Sequence, residues 1–200
     1  MNFLAHAYLS GEDRLIRIGN FMGDFVKGSN YLQYPEAVQK GILMHRSIDA
    51  FTDRHPLVLS GKTRFDAKYH RYSSVLMDLL YDHFLAKDWY NFHSMPLHDY
   101  VNEIHNDLLN HFELYPERLK SSLPTFMKHR WIERYVGLEG LRDVCEVMSQ
   151  TTSLPAETDF AMEVIVQNYE TFRNEFYEFF SQIIFYIEDT YMVSIRSQNN

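Results

Sequence analysis

Apolar residues recur along this chain at spacings of three and four, and strict alternation is almost absent, so the pattern predicts helices and no sheet. Residues 2–9 read as a short apolar helix that carries His6, followed by a turn over 10–13. From 12 to 27, Leu15, Ile18, Phe21, Met22 and Phe25 mark the inner face of a helix that stops at Gly28. Pro35 opens the next helix in its first turn, Ile42, Leu43 and Ile48 supply its apolar side, and His55-Pro56 ends it. A shorter helix over 57–70 and a longer one over 72–89 follow. Pro96 starts a helix that reaches Phe112, Pro116 and Pro124 bracket a broken segment ending near Tyr135, and Gly137 and Gly140 mark a loop before a helix over 141–150. Residues 151–155 form a linker. Over 156–191 there is neither proline nor glycine, and Ile165, Tyr169, Phe172, Phe176, Phe179 and Ile183 follow 4-3-4-3-4 spacing, which predicts one long amphipathic helix. Its aromatic stripe reads first as core packing; a seam between two copies, giving a homodimer through this helix, and a groove for an acyl chain are the other readings. The expected fold is one all-α helical bundle over 1–193 with a frayed tail over 194–200.

Composition supports a packed chain. An apolar fraction of 46% spread over 200 residues can bury a core without a disulfide or metal staple. Cys145 is the single cysteine, which excludes an intrachain disulfide and a Cys-rich zinc site and fits a reducing, cytoplasmic location. The first residues lack a basic flank and place His6 inside the apolar run, unlike a signal peptide. The most apolar stretch, 179–187, is too short to span a membrane. A net charge of −8 argues against nucleic-acid binding. Charge is unevenly spread: residues 54–72 carry Arg54, Lys62, Arg64, Lys68 and Arg71 against Asp66 alone, whereas 156–191 carry eight acids against Arg173. This is either a pair of ordinary solvated faces or a local basic surface for an acidic partner.

Polar groups inside apolar helices carry the chemistry. His45, Asp49 and Asp53 recur every four residues and form one stripe on a helix. Asn20 and Asp24 are spaced alike, flanked by Gly19 and Gly23, which suggests close approach of another backbone or a ligand. Asp78 and Asp82 stack in the same way beside His83, and buried carboxylates need a partner: a metal ion, a histidine or, for Asp82, a capping role. Taken singly, each pair reads as well as a structural contact. Together they suit a divalent ion held by imidazole and carboxylate, with Mn²⁺, Fe²⁺, Co²⁺ or Mg²⁺ favoured over structural Zn²⁺. Such an ion would activate water for attack on phosphorus, and Arg46, Lys27 or Arg54 could neutralise phosphate oxygens. His93, His98, His105 and His111 read as surface residues. No phosphate-binding glycine loop, dinucleotide fingerprint or nucleophile elbow is present.

These residues resemble the acyl carrier protein phosphodiesterase family, often called ACP hydrolase, a divergent relative of the HD phosphohydrolases. The resemblance rests on the run from Met1 to His6, Gly19-Asn20, the run from Gly23 to Gly28, and Met44-His45-Arg46 with Ile48-Asp49 and Phe51-Thr52-Asp53. Asp78, the run from Tyr81 to Leu85, and Trp89 complete it, all within roughly the first 90 residues. It implies an HD-like all-α fold and hydrolysis of the phosphodiester joining 4′-phosphopantetheine to a serine of holo-acyl carrier protein, with Mn²⁺ as activator. It also implies metal positions at His6, Asp24, His45, Asp49 and Asp78, and catalytic positions at Asp24, His45, Asp49, Asp82 and His83. Because acyl carrier proteins are acidic, the segment from Arg54 to Arg71 becomes the expected docking surface. A nucleotide or other small phosphoester as substrate, or a non-catalytic carrier-binding module, are the alternatives.

Overall fold

A computed structural model describes residues 3–195, and their regular structure is helical throughout. α1 (Phe3–Leu9) turns directly into α2 (Arg14–Phe21), which Asp13 caps by accepting from the Leu15 and Ile16 amides at 2.9 and 3.1 Å. Two 3₁₀ turns, Gly23–Phe25 and Gly28–Gln33, lead into α3 (Glu36–Arg54). α4 (Pro56–Thr63), the one-turn α5 (Asp66–Tyr69) and α6 (Ser73–Lys87) follow. The second half comprises α7 (Leu97–Asn110), α8 (Glu117–His129), the one-turn α9 (Trp131–Arg134), α10 (Leu138–Thr151), α11 (Thr158–Gln167) and α12 (Tyr169–Tyr191). No helix among the described residues is long and apolar enough to cross a membrane.

The α2–α3 contact fixes everything at the site. A methyl group at Gly19 would stand 2.1 Å from the Val38 carbonyl oxygen, and one at Gly41 would stand 2.1 Å from that of Ile16. Only glycine at both positions lets the two backbones touch. α1 packs across α2 and α6, and α6 is buried along most of its length. The aromatic stripe of α12 closes the core: Phe172, Phe176, Phe179 and Ile183 are fully buried, and Phe176 and Phe179 meet Tyr81 of α6 edge-on or tilted. That stripe is therefore used within the chain; a seam between copies would need another face of α12, which exposes Phe185.

Several expected elements differ. The helix expected over 12–27 stops at Phe21, because the chain tucks Gly23 against the His45 ring in a 3₁₀ turn, so Asn20 and Asp24 do not share a helix. The helix expected over 57–70 is α4 and α5, and His70, at φ 46°, prevents its continuation into α6. The long C-terminal helix is two, broken at Asn168, whose side-chain Nδ2 donates to the Val164 carbonyl at 2.9 Å and competes with the helical ladder. Fraying does not begin at Ser194: Ile195 is buried and its N–H donates to Glu188 at 2.8 Å, while 196–200 lie outside the described residues. His105 is buried rather than exposed, its ring 6.1 Å from that of Phe126.

Candidate metal centre

Three elements converge on one point. α3 presents His45 and Asp49 one turn apart, with His45 Nε2 3.2 Å from Asp49 Oδ2. α1 brings His6, whose Nε2 lies 3.3 Å from Asp49 Oδ1 and whose ring stacks on that of His45 with centroids 4.2 Å apart. The Gly23–Phe25 turn brings Asp24 Oδ1 to 3.5 Å from His45 Nε2. Ligand atoms of His6, His45 and Asp49 all lie within 4.8 Å of one another. His6 Nε2 and His45 Nε2 are buried, yet neither contact with Asp49 is aligned as a hydrogen bond. Two ring nitrogens and a carboxylate that converge in this way fit a divalent cation of the Mn²⁺, Fe²⁺, Co²⁺ or Mg²⁺ type.

Asn20 fixes His6 in the state such a site needs. Its Oδ1 meets His6 Nδ1 at 2.7 Å, while its Nδ2 donates to the His6 carbonyl at 3.0 Å and to Ser10 Oγ at 2.9 Å. The amide orientation is thus set, Nδ1 must carry the proton, and Nε2 offers its lone pair to the cluster. The glycines beside Asn20 and Asp24 divide between two roles: Gly19 serves helix packing, and Gly23 makes room for His45, since a methyl group there would fall 2.3 Å from its Cγ.

Electrostatics separate the two imidazoles. Burial, with His45 nearby, pulls the His6 pKa down to about 4, so it stays neutral at pH 7. Burial also depresses His45, but contacts with Asp24 and Asp49 outweigh it and hold its pKa at about 9. Burial raises Asp49, yet the two imidazoles hold it well below the usual carboxylate range. Contact with His45 likewise lowers Asp24. Without a metal ion, the charged His45 pairs with both carboxylates.

The remaining expected site residues have other partners. Asp82 is fully buried and accepts from the Leu4 and Ala5 amides at 2.9 and 3.1 Å, capping α1. His83, also buried, bridges the Tyr135 carbonyl at 2.7 Å and the Tyr169 hydroxyl at 2.8 Å. Neither joins the cluster of His6, His45 and Asp49. Asp53 is exposed and pairs with Lys62 at 3.7 Å. Arg46 donates to the Val26 and Gly28 carbonyls, both at 2.9 Å, and so pins the turn on which Lys27 is exposed. In the basic segment, Arg64 forms a bidentate pair with Glu175 at 2.7 and 2.8 Å, and Lys68 pairs with Glu157 at 3.5 Å. Arg71 bonds the Tyr72 hydroxyl, and Arg54 is exposed. Cys145 is buried and its thiol is pushed up to about 12 by burial, which makes it inert.

Asp24 has a second environment. Together with half-buried Asp78 it lines a cavity of about 370 Å³ whose other walls include residues of α1, α6, α8, α9 and α10, among them Phe3, Val75, Phe126, Trp131 and Val147. The apolar positions of α8 to α10 read in sequence as ordinary core, and nothing in their spacing distinguishes a cavity wall from packed interior.

Known proteins align with this arrangement over more than its first half. The acyl carrier protein phosphodiesterase family model matches residues 1–183, well beyond the blocks that carry the resemblance. A protein of Yersinia pestis named acyl carrier protein phosphodiesterase is 34% identical over 181 residues, covering 90% of this chain and 94% of its own. Like-named proteins of Yersinia enterocolitica and Serratia proteamaculans are 32% and 30% identical over 94% and 92% of this chain, and 98% and 96% of their own. No solved structure is a significant match. With the match running through both the helices that bear His6, His45 and Asp49 and the cavity-forming ones, the chain belongs to the acyl carrier protein phosphodiesterase family.

Proposed function

We propose that this protein is a metal-dependent phosphodiesterase that hydrolyses the bond between 4′-phosphopantetheine and the serine of holo-acyl carrier protein, releasing apo-carrier and 4′-phosphopantetheine. The observation that carries this reading is the convergence of His6, His45 and Asp49 with unsatisfied ring nitrogens, in a chain whose relatives bear that activity in their names. We assign the ion as Mn²⁺, held by His6, His45 and Asp49 with Asp24 at the rim. When bound, it lowers the pKa of water and neutralises phosphoryl oxygens. Asp24, the most exposed carboxylate of the group, takes the proton as water oxygen attacks phosphorus and the phosphorus–serine bond breaks. The serine oxygen leaves with a proton from solvent. Lys27, exposed on the turn that Arg46 pins, is the cation we assign to a phosphate oxygen. Asp82 and His83 support this machinery through α1 and α6 without entering it, and Asp78 belongs to the cavity wall.

Docking of the acidic carrier falls to Arg54 and Arg71, the two basic-segment residues without an acidic partner among the described residues; Lys62, Arg64 and Lys68 are paired within the chain. A reduced, buried Cys145 fits activity in the cytoplasm. The deciding experiment is incubation of the purified protein with Mn²⁺ and holo-carrier, followed by intact mass. Loss of the phosphopantetheine mass, abolished by His45→Ala and by chelation, is expected; an unchanged carrier would overturn the assignment.

A further inference from the structure

The cavity beside Asp24 has a composition that selects its occupant. It holds about 370 Å³, within the range of small-molecule sites. None of its lining residues is Lys, Arg or His, and two, Asp24 and Asp78, are carboxylates. Asp24 is paired with His45 at 3.5 Å and Asp78 has a partner of its own, so neither stands as a free charge, and the largely apolar remainder of the lining suits a neutral chain. Val75, Leu79, Val147 and Met148 offer apolar wall for methylenes and methyls, while Thr151 offers a hydroxyl for an amide group. Asp24 ties this space to the metal centre, since the same carboxylate that lines the cavity lies 3.5 Å from His45 Nε2.

We infer that this cavity binds the pantetheine arm of the substrate, a neutral chain of two amides ending in a thiol, while the phosphate at its head stays at the cluster. The assignment rests on the phosphodiesterase reading above for its choice of ligand. It makes the enzyme selective through the part of the substrate that does not react, because binding energy gathered along the arm orients the phosphorus at the cluster.

The test uses Trp131, which lines the cavity, as reporter; the other tryptophan, Trp89, is buried in the core at 1% exposure. Pantetheine, which lacks the phosphate, is titrated into the metal-free protein, with Trp131→Phe as the control. A saturable change in emission that is lost in Trp131→Phe is expected; no change overturns the assignment. Independently, Val147→Phe narrows the cavity from a half-buried position on α10. With Mn²⁺ it should raise KM for holo-carrier about tenfold, the scale of a misfilled apolar subsite, and leave bis(p-nitrophenyl) phosphate hydrolysis unchanged. An unchanged KM for holo-carrier, or equal losses on both substrates in a folded variant, overturns it. If wild-type protein fails to release phosphopantetheine yet shows the Trp131 response, the phosphodiesterase reading fails while the arm site stands. If Val147→Phe does not fold, the titration alone decides.

Discussion

Replacing Asp82 separates a structural carboxylate from a reacting one. Asp82→Ala leaves the Leu4 and Ala5 amides without acceptors, and both residues are fully buried. An orphaned buried N–H costs about 1–3 kcal/mol. Part of this is offset, because the variant no longer buries a carboxyl group whose pKa desolvation drives up to about 7 against the opposing pull of those two amides. A net destabilisation of about 2 kcal/mol is expected, which lowers Tm by about 4–8 °C for a chain of this size. The sign with pH follows from the raised pKa. The folded state holds a proton on Asp82 between about 4 and 7 that the unfolded chain releases, so this residue contributes most at low pH and least above 7. The Tm gap between wild type and variant should therefore be wider at pH 5 than at pH 8, as measured by calorimetry. Because α1 carries His6, the variant should need more Mn²⁺, yet reach near wild-type turnover at saturation well below its Tm. A variant that melts like wild type but turns over nothing at saturating Mn²⁺ would refute the capping role and put Asp82 in the chemistry.

Two further outcomes test the centre itself. Gly23→Ala places a methyl group 2.3 Å from His45 Cγ and should weaken Mn²⁺ binding by at least about tenfold, read by electron paramagnetic resonance of free Mn²⁺; unaltered affinity would mean that His45 is not a ligand. Because Asp24 and Asp49 hold the buried His45 at about 9, Mn²⁺ binding at pH 7 should release about one proton, and titration calorimetry in buffers of different ionisation heat should show it. The same raised pKa means that the charged His45 stabilises the metal-free fold below about pH 6.5, a contribution lost as pH rises through 9. Identical heats in all buffers would exclude the displacement of His45.

His45 and Asp49 were legible because helical spacing alone puts them on one face, and no distant partner is needed to see it. His6 stood out as an imidazole in an apolar run, although its register against α3 depends on the glycine contact between α2 and α3. Asp24 does come beside His45, but a 3₁₀ turn delivers it rather than the helix its spacing from Asn20 predicts. Asp82 and His83 could not be told from ligands, because their partners lie 52 to 86 residues away in sequence. The same holds for the basic segment: Glu175 and Glu157, which neutralise Arg64 and Lys68, sit far along the chain on the acidic C-terminal stretch. Composition reveals charge excess by segment; it does not reveal which charges the fold has already cancelled.

The seven residues of α1 are too few to hold a helix by themselves in water. They are kept in shape by Asp82 at one end and by Asn20 and Ser10 at the other. One proposed ligand of three thus rides on a short segment held by its burial and by a few side-chain caps, while the other two sit on a long helix. Bound cation would act as a clasp on that segment, so that occupancy of the centre and order at the start of the chain rise and fall together.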